Sequence, residues 1–216
     1  MELRKIMNKK IIAPAIAGVA IIIIVVAALS PTEPEIEENL ETLSISYTQT
    51  NKDLQAVLDM HNIPMSSPLK LNGLSIAEYC TFFSNEELQN SITYCTSTEL
   101  LDDKGQFLGN IHMVGAPSNP WYVIGVIQAD PITSQLADIK TVYQAMIENA
   151  VCNCWEEEKP GGFETVSDWI DAAHSHHLEA KRITSKSEIS GLGQKSLLLE
   201  ITTNTEGYMW TFIIPV

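Results

Sequence analysis

The 216-residue sequence carries 27 Asp and Glu against 13 Lys and Arg, a formal net charge of −14. Four of the basic residues and one of the acidic ones fall in residues 1–10, so the remainder holds 9 basic and 26 acidic residues, a net of −17. A domain that acidic repels nucleic acid and anionic head groups, which excludes both as partners. It suits solubility at a crowded surface, or the attraction of cations or a basic partner.

Ile11 to Leu29 is a run of nineteen residues with no charged or strongly polar side chain. At about 1.5 Å per residue, a helix of that length spans about 28 Å, close to the hydrocarbon thickness of a bilayer. Ile21 to Val26 is apolar all round, so it cannot be one face of a soluble helix. Arg4, Lys5, Lys9 and Lys10 precede the run, and no Lys or Arg follows it until Lys52. That asymmetry places the N-terminus in the cytoplasm and the rest outside. Val26-Ala27-Ala28 would suit a signal-peptide cleavage site, but the apolar run is longer than the usual 7–15-residue signal core. The expectation is a retained anchor. The chain then divides into a cytoplasmic basic tag (1–10), a transmembrane signal anchor (11–29), an acidic spacer (30–50) and an extracytoplasmic domain (51–216).

Pro31 to Thr42 is rich in Pro and Glu and reads as a solvated spacer. Ile36, Leu40, Leu43 and Tyr47 recur at 4-3-4 spacing, with Leu54 and Val57 in register, which would suit a helical stalk or a dimerising seam. Ser44 to Thr50 argues against it, being a poor helix former with strand-like alternation. Asn51 is placed to cap a helix from Lys52 to about His61, and Ser66 to Asn72 reads as loop. Ser75-Ile76-Ala77-Glu78 has the capping-box pattern and predicts a short helix, Ile76 to Phe83, that carries Cys80.

Three strands are predicted next, at Ile92–Leu101, Gln106–Val114 and Trp121–Gln128. Asp102 to Gly105 and Ala116 to Pro120 supply the turns between them. The clearest helical period in the domain follows: Leu136, Ile139, Val142, Tyr143, Met146, Ile147, Ala150 and Val151 share one face. A second helix is predicted from about Thr165 to Leu178, then three strands at Arg182–Ile189, Lys195–Thr203 and Gly207–Ile214. The order β-β-β-α-α-β-β-β makes the domain α+β, an antiparallel sheet of about six strands with helices on one face.

Two clusters hold side chains that could do chemistry. On a helix, Asp171, His174 and His177 share a face at three-residue steps and could supply three ligands to Zn or Cu. Histidines close to a helix C-terminus are also favoured by the dipole alone. The four cysteines, Cys80, Cys95, Cys152 and Cys154, make two disulfides most economically in an exported chain. A bridge across a single residue is geometrically awkward, which points to cross-links between the 80–95 and 152–154 regions. Cys152 and Cys154 beside Trp155 also invite a redox or soft-metal role, but a helix C-terminus and three adjacent glutamates would hold a thiol protonated. The sequence has no Gly-x-Ser-x-Gly elbow, phosphate loop, dinucleotide fingerprint or His-Glu-x-x-His.

The basic tag, Ile-rich run and acidic leader of the first forty residues, with the acidity of the remainder, resemble uncharacterised single-pass, signal-anchored surface proteins of archaea. That resemblance rests on no specific motif and transfers no site and no activity. The expectation is a non-catalytic, membrane-anchored accessory or binding domain, without a cofactor, acting through a protein partner at the cell envelope. The alternative is a Zn- or Cu-binding protein using residues 171–177, and then a thiol-disulfide oxidoreductase.

Overall fold

The computed structural model describes residues 45–216; the expected span Ile11–Leu29 and most of the acidic spacer lie outside the described residues. Among the described residues, no helix is long and apolar enough to cross a membrane.

Helix α1 (Tyr47–Met60) starts earlier than expected, because Ser46 and not Asn51 caps it, its side chain accepting from the Gln49 amide. Thr50, Asn51, Leu54 and Leu58 form its buried face. Over residues 45–50 the strand-like alternation is therefore overridden by tertiary burial. Asn51 becomes affordable inside the helix because both ends of its amide are satisfied. It donates to the Tyr47 carbonyl at 3.0 Å and accepts from the Thr98 hydroxyl at 2.9 Å. Leu54 packs into the domain's own core, with Tyr47 and Val57 against it, so this part of the suggested seam is used within the chain.

Strand β1 (Leu69–Asn72) occupies the stretch expected to be loop, and pairs antiparallel with β2 from Leu69↔Ser97 to Asn72↔Tyr94. Helix α2 (Leu74–Tyr79) follows, with Gly73 at its N-cap in a left-handed conformation (φ 57°) and Cys80 as its C-cap. The expected capping box does not form, since Ser75 already lies inside the helix. A further short helix, α3 (Glu86–Ser91), is capped by Asn85.

Strands β2 (Tyr94–Leu101), β3 (Phe107–Ala116) and β4 (Asn119–Ala129) form the expected meander. Its first turn is tied by Asp102, whose carboxylate accepts from the amides of Lys104 and Gln106. Helix α4 (Leu136–Ala150) leads into the short α5 (Trp155–Glu158), a 3-10 turn (Pro160–Gly162) and helix α6 (Val166–Ala180). Thr165 and Asp168 build a true capping box at the start of α6. A second meander closes the chain: β5 (Thr184–Leu192), β6 (Lys195–Asn204) and β7 (Gly207–Pro215).

All strands among the described residues join one seven-stranded antiparallel sheet in the order β1-β2-β3-β4-β7-β6-β5. The fold is α+β, with β1 added to the six long strands that the sequence predicts. Helices α1, α4 and α6 cover one face through the main core. Gly125 lets α4 approach: a Cβ there would stand 2.7 Å from the Met146 sulfur and 3.0 Å from the Tyr143 ring. Tyr143, Trp169, Trp210 and Phe212 fill the centre, and the Tyr143 hydroxyl donates to the Trp210 carbonyl at 2.9 Å.

The expectation of helices on one face alone needs correcting. Ile76, Cys80, Ile92, Cys95, Val114 and Ile124 form a second, smaller core on the opposite face, under α2 and the Phe82–Phe83 segment. This arrangement also decides the disulfides. The pairs are Cys80–Cys95 and Cys152–Cys154, not cross-links between the two regions. Cys80 and Cys95 belong to the smaller core, whereas Cys152 and Cys154 pack against the main one. The sheet lies between them.

Loop length sets what each bridge contributes. On the chain-entropy account, the 15-residue separation of Cys80 and Cys95 is worth about 3 kcal/mol, and the two-residue separation of Cys152 and Cys154 only about 1 kcal/mol. Urea unfolding of Cys80→Ala/Cys95→Ala should show the larger loss and Cys152→Ala/Cys154→Ala the smaller. The reverse order would show that loop closure is not what the bridges supply.

Candidate functional site

A groove of about 420 Å³ opens between the first half of α1, strands β1 and β2, and the β3–β4 turn at Pro117 and Ser118. That is within the size range of sites for small organic molecules. Its walls mix apolar surface from Met65, Pro68 and Tyr94 with polar side chains from Ser46, Gln55 and Ser66. The Tyr47 and Tyr94 rings meet edge to face, with centroids 4.8 Å apart. Burial, with Tyr94 adding to it, pushes the Tyr47 phenol well above its ordinary range. It therefore stays a neutral donor, and its hydroxyl gives its proton to the Ala116 carbonyl at 2.8 Å.

The floor of the groove contains Asn51 and Thr96. Asn51 is committed to the Tyr47 carbonyl and the Thr98 hydroxyl. Thr96 is different: it is 1 % exposed, and its hydroxyl has no hydrogen-bond partner. A buried hydroxyl left unpaired costs about 1–3 kcal/mol. Lys52 and Lys70 also line the groove, and no Asp or Glu does. Among the described residues, neither lysine forms an ion pair, whereas Lys140, Lys159 and Lys186 each do.

On the other face of the sheet, His112 packs against Phe82 with centroids 4.7 Å apart. Its Nδ1 is buried without a partner, and burial lowers its pKa to about 4. One ring nitrogen and the sulfurs of Cys80 and Cys95 lie within 4.8 Å of one another, a grouping that the sequence did not suggest. Those sulfurs are bonded to each other, so neither offers a thiolate. All four cysteines are paired in this way.

The residues singled out for metal binding sit on α6 but are not gathered round a common point. The Asp171 carboxylate is taken by the Lys140 ammonium at 2.6 Å. His177 is buried with both ring nitrogens engaged, Nδ1 at 2.8 Å from the Ser185 hydroxyl and Nε2 at 3.0 Å from that of Thr203. His174 lies over the Trp210 indole at 5.9 Å, and its Nε2 is buried without a partner. Burial lowers both histidine pKa values. The three-residue spacing thus aims these rings at the sheet, where His177 serves as a polar strut between β5 and β6.

The groove was harder to foresee, since its parts come from residues 46–55, 65–70, 94–96 and 117–118. The traces it leaves in the sequence are Asn51, a polar residue within a helix, and Lys52 and Lys70 in an acidic chain. No known family model, curated protein or solved structure matches this chain.

His112 gives the opposite face of the sheet a pH signature. Its folded pKa, about 4, lies below the ordinary value of 6.5, so the unfolded chain binds the proton first. Stability is then full above pH 6.5, falls as the pH drops towards 4, and levels off below it, a contribution of about 3 kcal/mol. Urea unfolding as a function of pH should show this slope reduced in His112→Leu by up to one proton. An unchanged slope would place the acid sensitivity elsewhere, first on His174 and His177.

Proposed function

We propose that this chain is a membrane-tethered, extracytoplasmic binding domain, non-catalytic, that serves a protein partner in the cell envelope. The binding part of this reading is carried by the groove under α1, with the unpartnered Thr96 hydroxyl in its floor. Buried hydroxyls in folded proteins nearly always find a partner, so this one is positioned to be completed by a ligand. The pairing of all four cysteines supports an oxidising compartment. The apolar run Ile11–Leu29 and the basic residues before it support the tether and its orientation.

The groove also suits an accessory role. It is walled on one side by α1 and opens to the surface, where a partner can reach it.

Two measurements on the full chain in its membrane test the proposal. Protease added to intact cells should degrade the domain, and affinity capture from mildly solubilised membranes should recover one envelope protein in constant ratio to it. Protection of the domain in intact cells would overturn the location. A protein that always runs alone would overturn the accessory role.

A further inference from the structure

Resting on the binding reading above, we infer that the groove under α1 takes a small organic anion: an apolar body ending in a carboxylate or a comparable acidic group. Four features converge on that chemistry. Lys52 and Lys70 both line the groove, and no carboxylate does. The described residues contain only nine Lys and Arg against 21 Asp and Glu, so two cations without an acid between them is the reverse of the local composition. Ser46, Tyr47 and Thr48 bring the N-terminal end of the fourteen-residue helix α1 to the same cavity, and its dipole favours negative charge there.

The third feature is independent of charge. Thr96 holds an unpartnered hydroxyl in the floor, able to donate to an acidic oxygen and to accept from a neighbouring donor. The fourth is the wall formed by Met65, Pro68, Pro117 and Tyr94, which offers apolar contact to the rest of the ligand. A bare inorganic ion would leave that wall wet. A neutral apolar molecule would leave the hydroxyl without a partner and gain nothing from the two ammonium groups.

The acidity of the whole domain does not exclude an anion. Fields from exposed charges decay over about 8 Å at physiological ionic strength, so the nearest groups decide. Within the groove those groups are Lys52, Lys70, the helix end and neutral hydroxyls. Tyr47 stays uncharged there, since its phenol is held well above the ordinary range.

The test uses the full chain in nanodiscs of zwitterionic lipid and two probes with the same rings, 2-naphthoate and the neutral 2-naphthamide. Backbone amide shifts of Lys70, Tyr94 and Thr96 read binding at the groove itself. Naphthoate should shift these amides saturably and bind more tightly than naphthamide. Lys52→Gln/Lys70→Gln should weaken naphthoate about tenfold, the loss expected for one charge-assisted contact, and leave naphthamide unchanged. Both lysines are exposed, so the variant keeps the core intact. If the two probes bind equally and the variant changes neither, the anionic class is wrong while the groove stands as a binding site. If neither probe moves these amides, the small-anion inference is wrong, while the capture of an envelope partner decides the binding reading by itself.

Discussion

The structure depends on the pairing of β4 with β7. Each is the last strand of a meander, and their ladder, from Tyr122↔Pro215 to Ala129↔Tyr208, is among the described residues the only strand pairing that joins the two halves of the sheet. The two halves are far apart in sequence, so closing this ladder costs loop entropy that local contacts do not repay. Helix α4 repays it. It lies over the seam, with Gly125 making room on one side and Tyr143 hydrogen-bonded to the Trp210 backbone on the other. Trp169 of α6 then packs on Phe212 of β7, with ring centroids 5.7 Å apart, so the second long helix is fixed by the same strand.

Much of this was legible because it is periodic. The face of α4 could be traced residue by residue, and the alternation of Trp210, Phe212 and Ile214 announces a strand with one buried side. Both meanders carry turn residues at their corners. What the sequence concealed lacks such a period. Strand β1 is four residues long and largely exposed, so its pattern is set by its pairing with β2 rather than by burial. The beginning of α1 was hidden because its buried face includes Thr50 and Asn51, polar residues whose hydrogen-bond partners lie elsewhere in the chain.

The candidate residues divide along the same line. Asp171, His174 and His177 were conspicuous because they are close in sequence and share a helix face. Spacing along a helix fixes direction, however, and here the residues part ways: His177 turns inward to bridge two strands, while Asp171 stays near the surface and meets Lys140. The groove was invisible for the opposite reason. Lys52, Lys70 and Thr96 come from three elements, and only the fold brings them to one cavity. The disulfides show a further limit, since spacing argued for long cross-links while the sheet, lying between the two cysteine regions, enforces short ones.

One feature of α1 sets how the domain bears load. The described chain enters through this helix, and neither disulfide loop encloses it. A pull directed along the chain from residue 45 is therefore resisted first by Leu54 and Leu58 in the core and by the Tyr47 hydroxyl on the Ala116 carbonyl. The strands, held by their ladders, come under tension only after those contacts part. Because α1 is also one wall of the groove, a pull on residue 45 would widen the cavity before it disturbed the sheet.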